Sequence, residues 1–129
     1  MRDIDALLAE IARRDPLPFD WGGNDCVRYV AACVRAQTGI DPLAGLDWTD
    51  EATARALLAA LGGMEAAVDS RLRRIAPAFA MRGDVAGVAD PDLGLALMIV
   101  EGQTLVGPGA LRARRLPRAA MIASWSTMP

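Results

Sequence analysis

The sequence predicts an α+β fold in which N-terminal helices pack on a small C-terminal antiparallel sheet or partial barrel. In the first half, apolar residues recur three and four positions apart, which is the spacing of one helix face. Around Pro77 this period is lost, and short apolar segments separated by Gly, Pro or Asp follow, as expected for strands. Helices first and strands second indicate α+β, and 129 residues suit a single domain over residues 1–129.

The first two predicted helices carry most of the apolar helical spacing. One covers residues 4–14, with Asp3 as its N-cap and prolines at positions 16 and 18 after it. The next begins near Cys26 and ends at Gly39. It is the more apolar of the two, and we expect it to be the central helix of the core.

A third helix is predicted over residues 49–61 and a shorter fourth helix over residues 64–73. Thr49 or Asp50 would cap the third helix, and two glycines at positions 62 and 63 would separate the pair.

Five short strands are predicted after these helices. They cover residues 84–88, 93–100, 104–106, 110–116 and 121–125. Glu101 and Gly102 are expected to form a two-residue hairpin turn between Val100 and Gln103.

The composition excludes several classes of enzyme. The chain has no histidine, which rules out Ser-His-Asp and Cys-His catalysis and histidine-ligated zinc. Its two cysteines are too few for a four-thiolate metal site, and it has no glycine-rich phosphate loop. We therefore expect no metal and no cofactor, and any chemistry must come from Cys, Asp, Glu, Ser, Tyr or Arg.

Charge and hydropathy give no reason to expect nucleic acid or an anionic membrane as partner. Fourteen arginines and no lysine face sixteen acidic residues, for a formal charge of −2. No apolar run approaches the roughly 20 residues of a membrane span, and the start lacks a signal segment. We expect the chain to be synthesised in a bacterial cytoplasm.

The two cysteines differ in what their positions allow. Cys26 is predicted in the first turn of a helix, where the helix dipole and free backbone N–H groups favour a thiolate and could hold an oxyanion. The alternative is a small apolar residue that starts a core helix capped by Asn24 or Asp25. Cys33 lies seven positions later, roughly 10 Å along the helix, too far for a disulfide with Cys26. We therefore assign Cys33 to core packing.

Several motifs carry a resemblance to the NlpC-type papain-like cell-wall peptidases. The sequence FDWGGNDC ends at Cys26 and opens an apolar helix, GDV at residues 83–85 matches a strand motif, and LGL at residues 93–95 matches part of the family's H-V-G-[IL]. Together, W-G-x-N-D-C at residues 21–26, T-G-x-D-P at residues 38–42 and R-G-D-V at residues 82–85 resemble a divergent branch found among phage tail and gene-transfer-agent genes. The resemblance covers nearly the whole chain and implies a papain-like domain.

The resemblance also implies site positions and where this chain departs from them. Cys26 matches the nucleophile, Asp92 falls where the family has its histidine base, and the third polar residue falls near Gly107. A carboxylate is a poor base for a thiol and repels a thiolate. Arg28 also stands where a substrate groove would open. The resemblance thus implies a retained scaffold that has lost most of its catalytic residues.

The resulting prediction is a non-catalytic structural component of a phage or phage-like tail, at the tail tip or baseplate. The first alternative is an active cysteine peptidase or amidase cutting peptidoglycan peptides, with Cys26 as nucleophile and Asp92 or a partner subunit as base. The second is a transient tail assembly factor. For the structural component, the expected partners are other tail proteins, with possible peptidoglycan contact, and the expected location is the virion tail.

Two arginine clusters, at residues 71–74 and 112–118, are either solvated faces or docking surfaces for an acidic partner. Trp48 and Trp125 are either core residues or interface anchors.

Overall fold

The computed structural model describes residues 2–128 and confirms the predicted α+β fold. Within that range, helices precede an antiparallel sheet of six strands in the order β1-β6-β2-β3-β4-β5. The helices are α1 (Ile4–Arg14), α2 (Cys26–Thr38), α3 (Glu51–Ala60) and α4 (Met64–Asp69). The strands are β1 (Arg73–Ile75), β2 (Val85–Asp90), β3 (Gly94–Val100), β4 (Thr104–Gly107), β5 (Arg114–Pro117) and β6 (Met121–Ser126). None of the helices in this range is long and apolar enough to cross a membrane.

Helices α1 and α2 form as their capping residues predict. The Asp3 carboxylate accepts a hydrogen bond from the Ala6 amide at 2.9 Å, and Asp25 accepts one from the Arg28 amide at 2.9 Å. Gly39 ends α2 in the left-handed region at φ 77°, a conformation that favours glycine. The buried face of α2 makes it the central helix of the core, as predicted.

The third predicted helix is confirmed, but the fourth is shorter than the sequence indicated. Asp50, not Thr49, caps α3 in a reciprocal capping box with Thr53. Helix α4 ends at Asp69, because Arg73–Ile75 instead pairs with β6 as an edge strand of the sheet. That pairing joins residues about fifty positions apart and leaves no signal in the local spacing.

Two details of the predicted strands are wrong. The two-residue turn between β3 and β4 is Gly102 and Gln103, because the Glu101 amide bonds to the Thr104 carbonyl oxygen at 2.8 Å. Only the end of the segment 110–116 is a strand, since β5 starts at Arg114.

The sheet buries apolar side chains on both faces. Val85, Leu97 and Ile99 pack with α1 and α2 in the main core. Alternate residues, among them Ala86 and Met98, form a second buried cluster on the other face. The sheet therefore packs against α2 from Cys26 onward.

Candidate functional site

Cys26 is the first residue of α2 and lies at the contact between this helix and the sheet. Only 8 % of the residue is exposed, and it belongs to the same apolar cluster as Val85 and Leu97. This confirms the predicted placement of the cysteine in the first turn of a buried helix. Cys33 is fully buried on the same helix, and both thiols are free.

Burial dominates the acidity of the Cys26 thiol. It raises the pKa to about 11, with smaller contributions in the same direction from the carboxylates of Asp25 and Asp90. A hydrogen bond from the Leu97 backbone and the charge of Arg114 act the other way but do not offset burial. The thiolate favoured by a helix N-terminus is therefore not the ground state here. Burial likewise raises the pKa of Cys33 to about 12.

Asp25 and Trp48 make a buried polar contact beside Cys26. The Trp48 indole N–H donates to Asp25 at 2.7 Å, and both residues are at most 6 % exposed. Burial raises the pKa of Asp25, while hydrogen bonds from Arg28 and Trp48 oppose that shift. Of the two alternatives for Trp48, core residue or interface anchor, this burial supports the core residue.

Arg28 closes the start of α2 on its outer side. Its guanidinium lies 4.2 Å from the centre of the Trp48 ring and bonds to the Trp48 carbonyl oxygen and to Asp47. A cation stacked in this way covers the helix start, where the resemblance would place a substrate groove.

The structure does not bring Asp92 to Cys26. Asp92 lies in the turn between β2 and β3 with 66 % of its side chain exposed, and it pairs with Arg55 of α3 at 2.6 Å. The neighbouring cavity is lined by Leu93, not by Asp92. Along β3, the side chains in the same cluster as Cys26 are aliphatic: Leu95, Leu97 and Ile99.

The position expected for a third polar residue is occupied by backbone alone. Gly107 is buried at the end of β4, opposite Arg114. A Cβ there would lie 3.3 Å from Cγ of Met98 and 3.4 Å from the carbonyl oxygen of Leu97. The site has little room for a side chain at this point.

An apolar cavity of about 80 Å³ adjoins Cys26 and was not predicted from the sequence. It lies between α2, α3, α4 and residues 42–48, with Trp21, Leu57 and Leu61 among its lining. A sequence signal for it is the apolar, alanine- and leucine-rich composition of α3. Most of its lining side chains are apolar, with Asp25 and Arg71 as the charged exceptions, so the cavity is suited to holding apolar groups.

Most arginines of the two predicted clusters are engaged inside the molecule. Arg74 pairs with Glu65 and Asp69, and its guanidinium lies 4.7 Å from the centre of the buried Trp125 ring. Asp15 accepts from Arg112 and Arg115 at 2.8 and 3.1 Å. Arg71 and Arg118 bond to backbone carbonyl oxygens. Arg73 and Arg114 make no side-chain hydrogen bond or ion pair within residues 2–128.

The fold is that of the NlpC/p60 domains. Its superposition on the crystal structure of the NlpC/p60 domain of the peptidoglycan hydrolase SagA gives a TM-score of 0.63 over 96% of this chain and 98% of that chain, at 19% sequence identity. Residues 1–127 match the model of a family described as a domain of unknown function, DUF6950, and the chain belongs to that family. A search of the curated proteins found no match.

Proposed function

We propose that this chain is a non-catalytic structural component of a phage or phage-like tail, at the tail tip or baseplate, built on the scaffold of a cell-wall peptidase. The observation that carries the non-catalytic part is the environment of Cys26. The thiol is buried with a pKa of about 11, and aliphatic side chains of β3 surround it in a chain that has no histidine. A cysteine nucleophile needs a thiolate and a proton donor for the leaving amine, and these surroundings favour neither.

The tail assignment is supported by two sequence motifs that resemble those of the branch found among phage tail and gene-transfer-agent genes. W-G-x-N-D-C and T-G-x-D-P flank α2, and both serve the scaffold: Asp25 caps the start of α2 and Gly39 ends it. A protein that keeps the fold for a structural role would retain these motifs and lose the polar site residues, which is the pattern seen in this chain. On this proposal the chain is made in a bacterial cytoplasm, resides in the virion tail and contacts other tail proteins and, at the cell surface, peptidoglycan.

A mass-spectrometric inventory of purified particles tests the tail assignment. A structural component remains at fixed stoichiometry in finished particles. A transient assembly factor instead copurifies with tail intermediates and is missing from finished particles. Absence from both would refute the assignment.

An active cysteine peptidase or amidase is the second candidate, because Cys26 still occupies the first residue of a helix in an NlpC-like fold. Digestion of purified peptidoglycan separates the two. The proposal predicts no release of peptides by the wild type. Release that disappears in Cys26→Ser but persists in Asp92→Asn would establish an enzyme whose base is elsewhere.

A further inference from the structure

A polar groove lies along α2 beside the cavity next to Cys26, and Ala31 and Leu43 line both. Its volume is about 510 Å³, and it is bounded by the end of α1, by α2 and by residues 41–43. Its floor is made of small side chains, Ala31, Ala32 and Ala36. The absence of longer side chains there leaves room for an occupant.

The groove is positively charged although the chain as a whole is not. Four arginines line it (Arg13, Arg14, Arg28 and Arg35) against the two carboxylates of Glu10 and Asp41, in a chain of formal charge −2. A concave site with an excess of one sign of charge attracts ligands of the opposite sign.

Two of these four guanidinium groups, those of Arg13 and Arg35, remain available to a partner. Arg14 and Arg28 are 13% and 22% exposed and bind Glu10 and Asp47. By contrast, Arg13 has 61% of its side chain exposed and a single contact, to Glu10. Arg35 is exposed and has no side-chain hydrogen bond or ion pair among residues 2–128.

The available arginines lie towards opposite ends of the groove. Helices α1 and α2 run antiparallel, since Arg14 at the end of α1 reaches Asn24, next to the start of α2. Arg13 is therefore near the start of α2, while Arg35 is in its last turn. Cys26 at the start of α2 and Arg35 in its last turn are nine residues apart, which is roughly 13–14 Å along the helix and about four residues of extended chain.

We propose that this groove binds an acidic segment of a partner protein, with carboxylates about four residues apart on Arg13 and Arg35. Guanidinium groups bind carboxylates through paired N–H donors, and the alanine floor admits a polypeptide backbone at close range. A nucleic acid fits less well, because the acidic remainder of the surface would repel its extended phosphate backbone. The inference rests on the tail proposal only for who supplies the segment.

Binding of a defined peptide to the isolated chain tests this inference. The probe is a fluorescein-labelled peptide of repeated Glu-Ser-Gly-Ser units, with Gln-Ser-Gly-Ser units as its uncharged counterpart, measured by fluorescence anisotropy across salt concentrations. Wild type should bind the acidic peptide alone, more weakly as salt rises. The double variant R13Q/R35Q should bind roughly tenfold more weakly, as expected for two lost ion pairs.

The double variant R73Q/R114Q is the matched control, because it removes the same charge from two exposed, unpaired arginines on the sheet. It should bind within about twofold of wild type if location rather than net charge matters. Equal losses in both variants, or no binding by wild type, would overturn the inference. If polyphosphate binds more tightly than the acidic peptide, and only R13Q/R35Q loses this binding, the groove binds a phosphate polymer and not a polypeptide. The particle inventory is independent of all these outcomes.

Discussion

The acidity of Cys26 shows how burial outweighs helix position for a single side chain. A helix N-terminus contributes about 0.3–1 kcal/mol to an anion, less than the ~1.36 kcal/mol of one pKa unit. Loss of water around the thiol works in the opposite direction and raises the pKa to about 11. A cysteine at the position that the resemblance assigns to the nucleophile is therefore not necessarily nucleophilic.

Alkylation with iodoacetamide against pH should report this directly. We expect Cys26 to react slowly at neutral pH and faster as the pH approaches 11, because only the thiolate reacts. The Cys26→Ser variant measures the contribution of Cys33 alone and is subtracted. A reactive thiol with an apparent pKa below about 7 would contradict the non-catalytic proposal.

Gly83 and Gly39 both have a backbone conformation that favours glycine, but only Gly83 also lacks the space for a side chain. Both have positive φ, 94° and 77°, but a Cβ on Gly83 would meet Oε1 of Gln37 at 2.1 Å whereas one on Gly39 would meet nothing within 4 Å. We expect Gly39→Ala to lower the free energy of unfolding by about 1–2 kcal/mol, the strain of a left-handed residue. Gly83→Ala should lose roughly 1–3 kcal/mol more, because Gln37 must give up its hydrogen bond to the Gly83 carbonyl oxygen. Urea unfolding measures both, and equal losses would refute the clash.

At the scale of elements, Trp48 links the α2–α3 connection to the start of α2. Its indole N–H is one of the donors that stabilise the Asp25 carboxylate. Burial raises the pKa of Asp25 above the ordinary 3.8, so the native state binds this proton more tightly than the unfolded chain does. The stabilisation from protonated Asp25 is fully present below 3.8 and is lost as the pH rises through the raised native value.

Trp48→Phe should therefore destabilise the protein at neutral pH and extend this pH dependence upward. Removing a donor from a buried carboxylate costs about 1–3 kcal/mol and raises the pKa of Asp25 further. Trp21→Phe is the control, since Trp21 packs edge-on against Phe19 and makes no side-chain hydrogen bond within residues 2–128. Thermal unfolding from pH 3 to 8 compares the melting temperatures of the two variants, because this range includes the pH values over which Asp25 loses its proton. Parallel curves for the two variants would exclude the role assigned to the indole.

Local patterns in the sequence were sufficient for α1, α2 and α3, because helical spacing and caps such as Asp3 and Gly39 act over a few residues. They were insufficient wherever a distant segment decides the outcome. Arg73–Ile75 became a strand through β6, and the buried contact of Trp48 with Asp25 joins residues 23 positions apart. At the candidate site, the position of Cys26 was predictable, whereas its raised pKa and the neighbouring cavity depend on the packed sheet.

At the scale of the whole molecule, one buried carboxylate joins both ends of the described chain to the sheet. Asp84, next to the start of β2, is 1 % exposed. It accepts from the Arg2 guanidinium at 2.9 Å, from the Thr127 amide at 3.2 Å and from the Met81 amide at 2.8 Å. The GDV motif is thus explained by structure: the glycine fits beside Gln37 and the aspartate holds the two ends.

Asp84→Asn should consequently destabilise the whole fold, although it preserves the shape of the side chain. The amide cannot accept at both oxygen positions, so a buried N–H loses its partner and Arg2 loses its counter-charge. Breaking a buried pair by changing one partner costs about 3–5 kcal/mol. Arg2→Ala should cost less, because Asp84 keeps two backbone donors and Arg2 is 15% exposed. Asp47→Asn, at a carboxylate 81% exposed, serves as the control and should unfold close to wild type.

Because the ends are held at a core strand, we expect a single cooperative transition, shifted to lower denaturant in Asp84→Asn and coincident by circular dichroism and tryptophan fluorescence. Separate transitions for the two probes, or a midpoint equal to that of Asp47→Asn, would show that the ends are not coupled through Asp84.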